Sequence, residues 1–224
     1  MEIEEHGVVH YCEEGDDALL RFLFRYQAPG TYVEVGANHP IRENVTYLLS
    51  RDGWRGLSVD ANSQFRGEWS RLRPHDAFEV VTLHSRRTST QYVRYSDHTL
   101  NSISSFAHEK ALEDGDMPIE TTLVETETLD DVLKRRGIER VNLLSINARS
   151  ADLEILNGLN FDRTRPDVIR IEMLYFNFNN PTDHPIYRRL RELGYALVIK
   201  SLRNAFWVNP VSSTAEWLPD SMLE

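Results

Sequence analysis

Compact apolar runs alternate along this chain with stretches in which apolar residues recur every three or four positions. Tyr32, Val33 and Val35 make a run fit for a buried strand, Gly36 breaks it, and Val45, Leu48 and Leu49 then carry a helical spacing. Leu57 to Val59 make a second run that ends at Asp60, Ala77 to Leu83 a third, and Gln91 to Tyr95 a fourth of alternating character. Beyond them the pattern predicts a strand over 121–125, a helix over 129–136 stopped by Gly137, and a buried strand over 141–146. A helix over 151–159, a strand over 167–173, a helix over 185–193 and a closing hairpin of 195–200 with 205–208 complete it. Strands alternating with helices predict an α/β fold around a parallel sheet with right-handed crossovers.

Two segments stand outside this rhythm. Asp16 to Tyr26 has acids in its first turn and an apolar face of Leu19, Leu20, Phe22, Leu23 and Tyr26, so residues 1–28 are expected to cover one edge of the site. Residues 96–118 mix Ser, His, Asp and Asn around a short helical patch at 106–112. Long loops in compact α/β domains tend to serve binding, so 96–120 is the expected substrate lid. At 224 residues and 26.0 kDa the chain is read as one domain over 1–224.

The first glycine carries the candidate chemistry. Thr31 to Pro40 is a strand and turn, and the acid Asp60 follows Gly36 by 24 residues, as in folds where such a carboxylate takes a ribose diol. The later glycines of a dinucleotide turn are absent, their places held by Asn38 and Ile41, whose side chains would crowd a pyrophosphate. A nucleoside ligand with an ammonium and a carboxylate fits instead, which points to S-adenosylmethionine rather than NAD or FAD. In this reading Glu34 faces the ammonium, Gly36, Ala37 and Asn38 line the carboxylate, and Asp60 with its neighbour Ala61 holds the ribose.

Charge and composition narrow the partners. A formal net charge of −10 argues against nucleic acid, and basic pairs such as Arg86-Arg87 are set among acids. No apolar run is long enough to span a membrane, the first residues are acidic, and Cys12 stands alone without a disulfide or zinc partner. The expectation is a cytoplasmic protein acting on a small molecule, with no membrane partner. The 210–224 tail is expected to dock either on the domain or on a second copy in a homodimer. The tryptophans read as packing residues.

Several separated motifs resemble the FkbM family of S-adenosylmethionine-dependent methyltransferases from about Tyr11 to Asn209. They are Cys12-Glu-Glu-Gly-Asp-Asp17, Val33-Glu-Val-Gly-Ala-Asn-His-Pro40, Gly53-Trp-Arg-Gly56 before Asp60, Thr128-Leu-Asp130, Leu156-Asn-Gly-Leu-Asn-Phe161, Arg165-Pro166 and Ile171-Glu172. The resemblance implies a Rossmann-like class I methyltransferase fold: a seven-stranded, mostly parallel sheet with helices on both faces and a C-terminal antiparallel hairpin. It also implies methyl transfer, typically to a hydroxyl of a sugar or natural product. One departure is large. Where the family usually has Ile-Asp-Val-Glu-Gly-Ala-Glu, this chain reads Ile146-Asn147-Ala148-Arg149-Ser150-Ala151-Asp152.

That departure falls where ligands of parallel sheets sit, beyond the carboxyl end of a strand. An amide at Asn147 accepts no proton near neutral pH and is a poor ligand for a hard cation, so it reads as a cofactor contact, and no metal site is expected. A hydroxyl acceptor then needs a base from elsewhere: His39 or His98 first, with Glu172 as a further carboxylate candidate. His84, at the end of the third run, is a reserve base and a cofactor contact. Arg149 is the candidate partner for an anionic acceptor group, and Asn101 and Ser102, next to His98 in the lid, are further substrate-binding candidates. Two other readings compete: a degenerate member that binds the cofactor or its demethylated product without transfer, and a redirected, non-methylating reaction.

Overall fold

A computed structural model of the chain describes residues 9–223. Among them, seven strands form one sheet: β1 (Thr31–Val35), β2 (Arg55–Asp60), β3 (Ala77–Val80), β7 (Leu143–Ile146), β8 (Val168–Glu172), β9 (Ala196–Lys200) and β10 (Asn204–Val208). Their order is β3-β2-β1-β7-β8-β10-β9. β3, β2, β1, β7 and β8 pair in parallel, while β10 is inserted antiparallel between β8 and β9. This is the mostly parallel sheet with an antiparallel C-terminal pair that the family resemblance implies.

Alternation along the strands feeds a core on each face. On one side Val33 and Val35 of β1 pack with Leu57 and Val59 of β2 and with Leu129, Val132 and Leu133 of α5 (Leu129–Arg136). The same core holds Ile155 and Leu156 of α6 (Asp152–Asn157) and Ile186 and Leu190 of α7 (Pro185–Glu192). On the other side Tyr32, Leu143 and Phe206 meet Leu20 and Leu23 of α1 (Asp16–Leu23) and Leu49 of α2 (Tyr47–Arg51). The tail docks on this second core through Ala215 and Leu218, and Trp217 meets Phe22 edge-on at 5.3 Å. The predicted cover over residues 1–8 lies outside the described residues.

Three expectations are corrected. The run 77–83 is two strands, not one: β3 joins the main sheet, while β4 (Thr82–Leu83) pairs with β6 (Glu120–Glu127) in a small second sheet. The fourth run, β5 (Ser89–Arg94), lies in that second sheet too, antiparallel to β6. Glu120, Thr121 and Thr122 explain this, because so polar a strand cannot be buried on both faces as a central parallel strand is. Finally, the helix expected after Gly36 does not begin at the turn. Asn44 and Thr46 direct their side chains inward to Glu34, so residues 36–46 form a loop and α2 covers only Tyr47–Arg51. In the lid segment, the patch at 106–112 becomes α4 (Ser105–Glu113), capped by the Ser104 hydroxyl accepting from the Ala107 N–H. No helix among the described residues is long and apolar enough to cross a membrane.

Candidate active site

The carboxyl ends of β2, β1, β7 and β8 and the start of β10 border a cavity of about 450 Å3, within the range of small-molecule sites. Because β10 runs antiparallel, its first residue shares an edge with the last residues of its parallel neighbours. The lining therefore passes in order from Asp60, past Gly36 and Asn147, to Glu172 and Asn204. Asp97 to Thr99 and Asn101 to Ile103, between β5 and α4, also line it.

At the β2 end every anchor is held by backbone. Asp60 accepts the Asn38 N–H on Oδ2 at 2.8 Å and the Asn62 N–H on Oδ1 at 2.7 Å. Burial pushes its carboxyl upward, and these two N–H groups oppose the rise. Gly36 has φ 73, and a Cβ there would lie 1.8 Å from the Asn147 carbonyl oxygen. Only glycine lets the ends of β1 and β7 approach so closely. Asn38, at φ 48, donates to Asp60 through its backbone and accepts from the Trp69 indole, yet its buried Oδ1 has no partner among the described residues.

At the β8 end the wall is charged. Asp16 of α1 pairs with Arg170 of β8 at 2.7 Å, both buried, and Arg203 holds Glu13 and Glu14. The Glu172 carboxylate accepts no hydrogen bond from the described residues. Burial raises its carboxyl, countered by Arg149, Arg170 and Arg203. Arg149 and Ser150 both stand in the left-handed region, at φ 51 and 68, and the Ser102 hydroxyl pins their turn by donating to the Arg149 carbonyl at 2.9 Å. The Arg149 guanidinium itself makes no hydrogen bond or ion pair with the described residues.

Compared with protein-family models, residues 34–197 match the methyltransferase FkbM domain. The chain belongs to the FkbM methyltransferase family. No curated protein matches it. Where the family usually has a glycine, this FkbM methyltransferase keeps a left-handed backbone with Ser150, a conformation that costs a residue with a Cβ about 1–2 kcal/mol.

Of the predicted site residues, the fold brings Gly36, Asn38, Asp60, Ala61, His98, Asn101, Ser102, Asn147, Arg149 and Glu172 to this one cavity. Four others fall outside its lining. Glu34 was expected to face a ligand, but Tyr32 and Glu34 share the other face of β1. There Glu34 Oε2 accepts from Thr46 at 2.7 Å and Asn44 at 3.0 Å, beside Arg73, which also bonds Asp76 at 2.8 Å. Ala37 donates its N–H to the Val59 carbonyl, and its own carbonyl accepts from Asn44, so both backbone groups are engaged within the fold. His39 folds back, its Nδ1 accepting the N–H groups of Ile41 and Arg42, both at 3.0 Å, so it caps the turn as a neutral ring. His84 turns away towards Ser85, at 3.1 Å, and Glu154.

Sequence reasoning passed over Asp16, Arg170, Asn204, Tyr92 and Asp152. Asp16 lies in the Cys12 to Asp17 motif that resembles the family, whereas Asn204 and Tyr92 reach the cavity only through strand order. Asp152 is 3% exposed and accepts the Ala148 N–H at 2.9 Å. Burial first, then Glu172, pushes its carboxyl up to about 7. A raised acid stabilises the fold fully below its unfolded value, near 3.8, and loses that contribution as pH rises through about 7. Asp152→Asn should remove this dependence: in urea unfolding, the wild type is expected to lose roughly 3 kcal/mol more than the variant between pH 5 and 8.5. Parallel pH profiles for the two proteins would contradict it.

Proposed function

We propose that this methyltransferase moves a methyl group from S-adenosylmethionine to a hydroxyl of a small polar metabolite, such as a sugar or natural product. One observation carries the reading: a single cavity joins the backbone-held Asp60 to the half-buried Glu172. Adjacent strands lie about 4.8 Å apart, so the three steps from β2 to β8 span roughly 14 Å, room for a donor and an acceptor side by side. When bound, the donor supplies a sulfonium methyl carbon open to in-line displacement.

The residues present fit that donor. The remaining lone pairs of Asp60 take the two ribose hydroxyls, and Val81 and Leu83 offer apolar surface at the same end. The unpartnered Asn38 amide oxygen and the adjoining strand ends at Gly36 and Asn147 border the amino-acid portion. Glu34 contributes indirectly, by fixing the loop that carries Asn38.

Glu172 is the proton acceptor in this reading. His98 meets Phe65 edge-on at 5.0 Å and sits by Asp60, at the donor end, while His39 and His84 lie outside the lining. A carboxylate raised by burial is better matched to deprotonating a hydroxyl near neutral pH than an ordinary one. Arg149, without an ion pair among the described residues, faces an anionic group of the acceptor. Calorimetry tests the donor: S-adenosylhomocysteine should bind and NAD should not, and the reverse result would sink the reading. With labelled donor and a panel of sugars and sugar acids, Arg149→Ala should reduce turnover of the acids selectively.

A further inference from the structure

We propose that the β8–β10 end of the cavity is a subsite for a primary ammonium carried by the methyl acceptor, beside the hydroxyl that Glu172 deprotonates. This rests on the methyltransferase reading above and names the chemistry of its acceptor. At this end three side chains carry an oxygen that takes no hydrogen bond from the described residues. Asp16, 1% exposed, accepts from both Nε and Nη2 of Arg170 on Oδ2, and its buried Oδ1 has no partner among the described residues. Asn204, 4% exposed, has an equally unpartnered Oδ1. The half-buried Glu172 carboxylate is the third, and all three residues line the cavity.

The sheet brings them together. Glu172 and Asn204 are direct partners across β8 and β10, a relation that holds side chains about 5 Å apart on one face. Arg170, which carries Asp16, is two residues before Glu172 and so shares that face. A buried acceptor without a donor is costly, so the two buried oxygens of Asp16 and Asn204, with the half-buried Glu172 carboxylate beside them, call for a donor-rich ligand. A hydroxyl brings one O–H donor and a carboxylate none, whereas a primary ammonium brings three donors and no acceptor. Among the described residues Arg170 balances Asp16 and Arg203 pairs with Glu13 and Glu14, so Glu172 makes no ion pair, and the nearby charges of Arg149, Arg170 and Arg203 act on it without contact.

S-adenosylmethionine also carries an ammonium, but a donor anchored on Asp60 places its amino-acid portion at β1 and β7. Asn204 lies two strand spacings past β7, about 10 Å away. That distance assigns the subsite to the acceptor.

The test titrates protein saturated with S-adenosylhomocysteine by ligand-observed NMR, using 2-aminoethanol and glucosamine against ethylene glycol and N-acetylglucosamine. The free amines should bind at least about tenfold more tightly than their neutral counterparts. Asn204→Leu should erase that preference while affinity for S-adenosylhomocysteine stays within about twofold. Asn204→Asp, which keeps the acceptor and adds a charge, should bind the amines at least about threefold more tightly, and decides the matter if the leucine variant does not fold. Equal binding of amines and neutral probes, or no gain in Asn204→Asp, overturns the subsite. If Asn204→Leu instead weakens S-adenosylhomocysteine but not 5′-methylthioadenosine, which lacks the ammonium, the group belongs to the donor and the assignment is wrong. Failure of wild-type protein to bind S-adenosylhomocysteine at all removes the methyltransferase reading itself, a result separable from amine failure in protein that does bind it.

Discussion

Gly36→Ala is expected to destabilise the protein by roughly 3–5 kcal/mol, a large share of the margin of a domain this size. Two effects combine. A Cβ at φ 73 costs about 1–2 kcal/mol by itself, and here it would also lie 1.8 Å from the Asn147 carbonyl oxygen, so β1 and β7 must part. Gly137→Ala is the control: its φ is 65, yet a Cβ there meets nothing within 4 Å. Urea unfolding of the pair separates backbone strain from the clash. If both variants lose the same stability, the close approach of the two strand ends is wrong.

Asp60→Ala should lower affinity for S-adenosylhomocysteine by about 10- to 150-fold, the worth of hydrogen bonds to a charged group. Stability will fall as well, because the Asn38 and Asn62 N–H groups lose their acceptor. A readout that instability does not move is therefore needed. Wild-type protein should prefer S-adenosylhomocysteine over its 2′-deoxy analogue, and Asp60→Ala should bind both alike. A preference that survives in the variant would place the ribose elsewhere.

The two anchors differ in how visible they are before folding. Gly36 and Asp60 stand at the ends of apolar runs, and their separation reports one strand, one crossover and a second strand, so local pattern is enough to pair them. Glu34 sits two residues before Gly36 in the same run, yet pattern misleads there. It was expected to face a ligand, but strand alternation turns it into a network with Thr46, Asn44 and Arg73, the last of them distant in sequence. His39 likewise looked available because it follows the turn, and folding spends its Nδ1 on Ile41 and Arg42.

The acceptor end was the least legible. Asp16, Glu172 and Asn204 come from a helix, a parallel strand and an inserted antiparallel strand, and no spacing in sequence relates them. By itself the chain determined the alternation of strands and helices, the two apolar faces, the turn at Gly36 and its acid partner, and the family motifs, because each depends on residues close in sequence. Tertiary structure decided which carboxylates face the cavity, which histidines are spent on turns, and where unpartnered oxygens converge, because strand order and burial are set by the whole sheet.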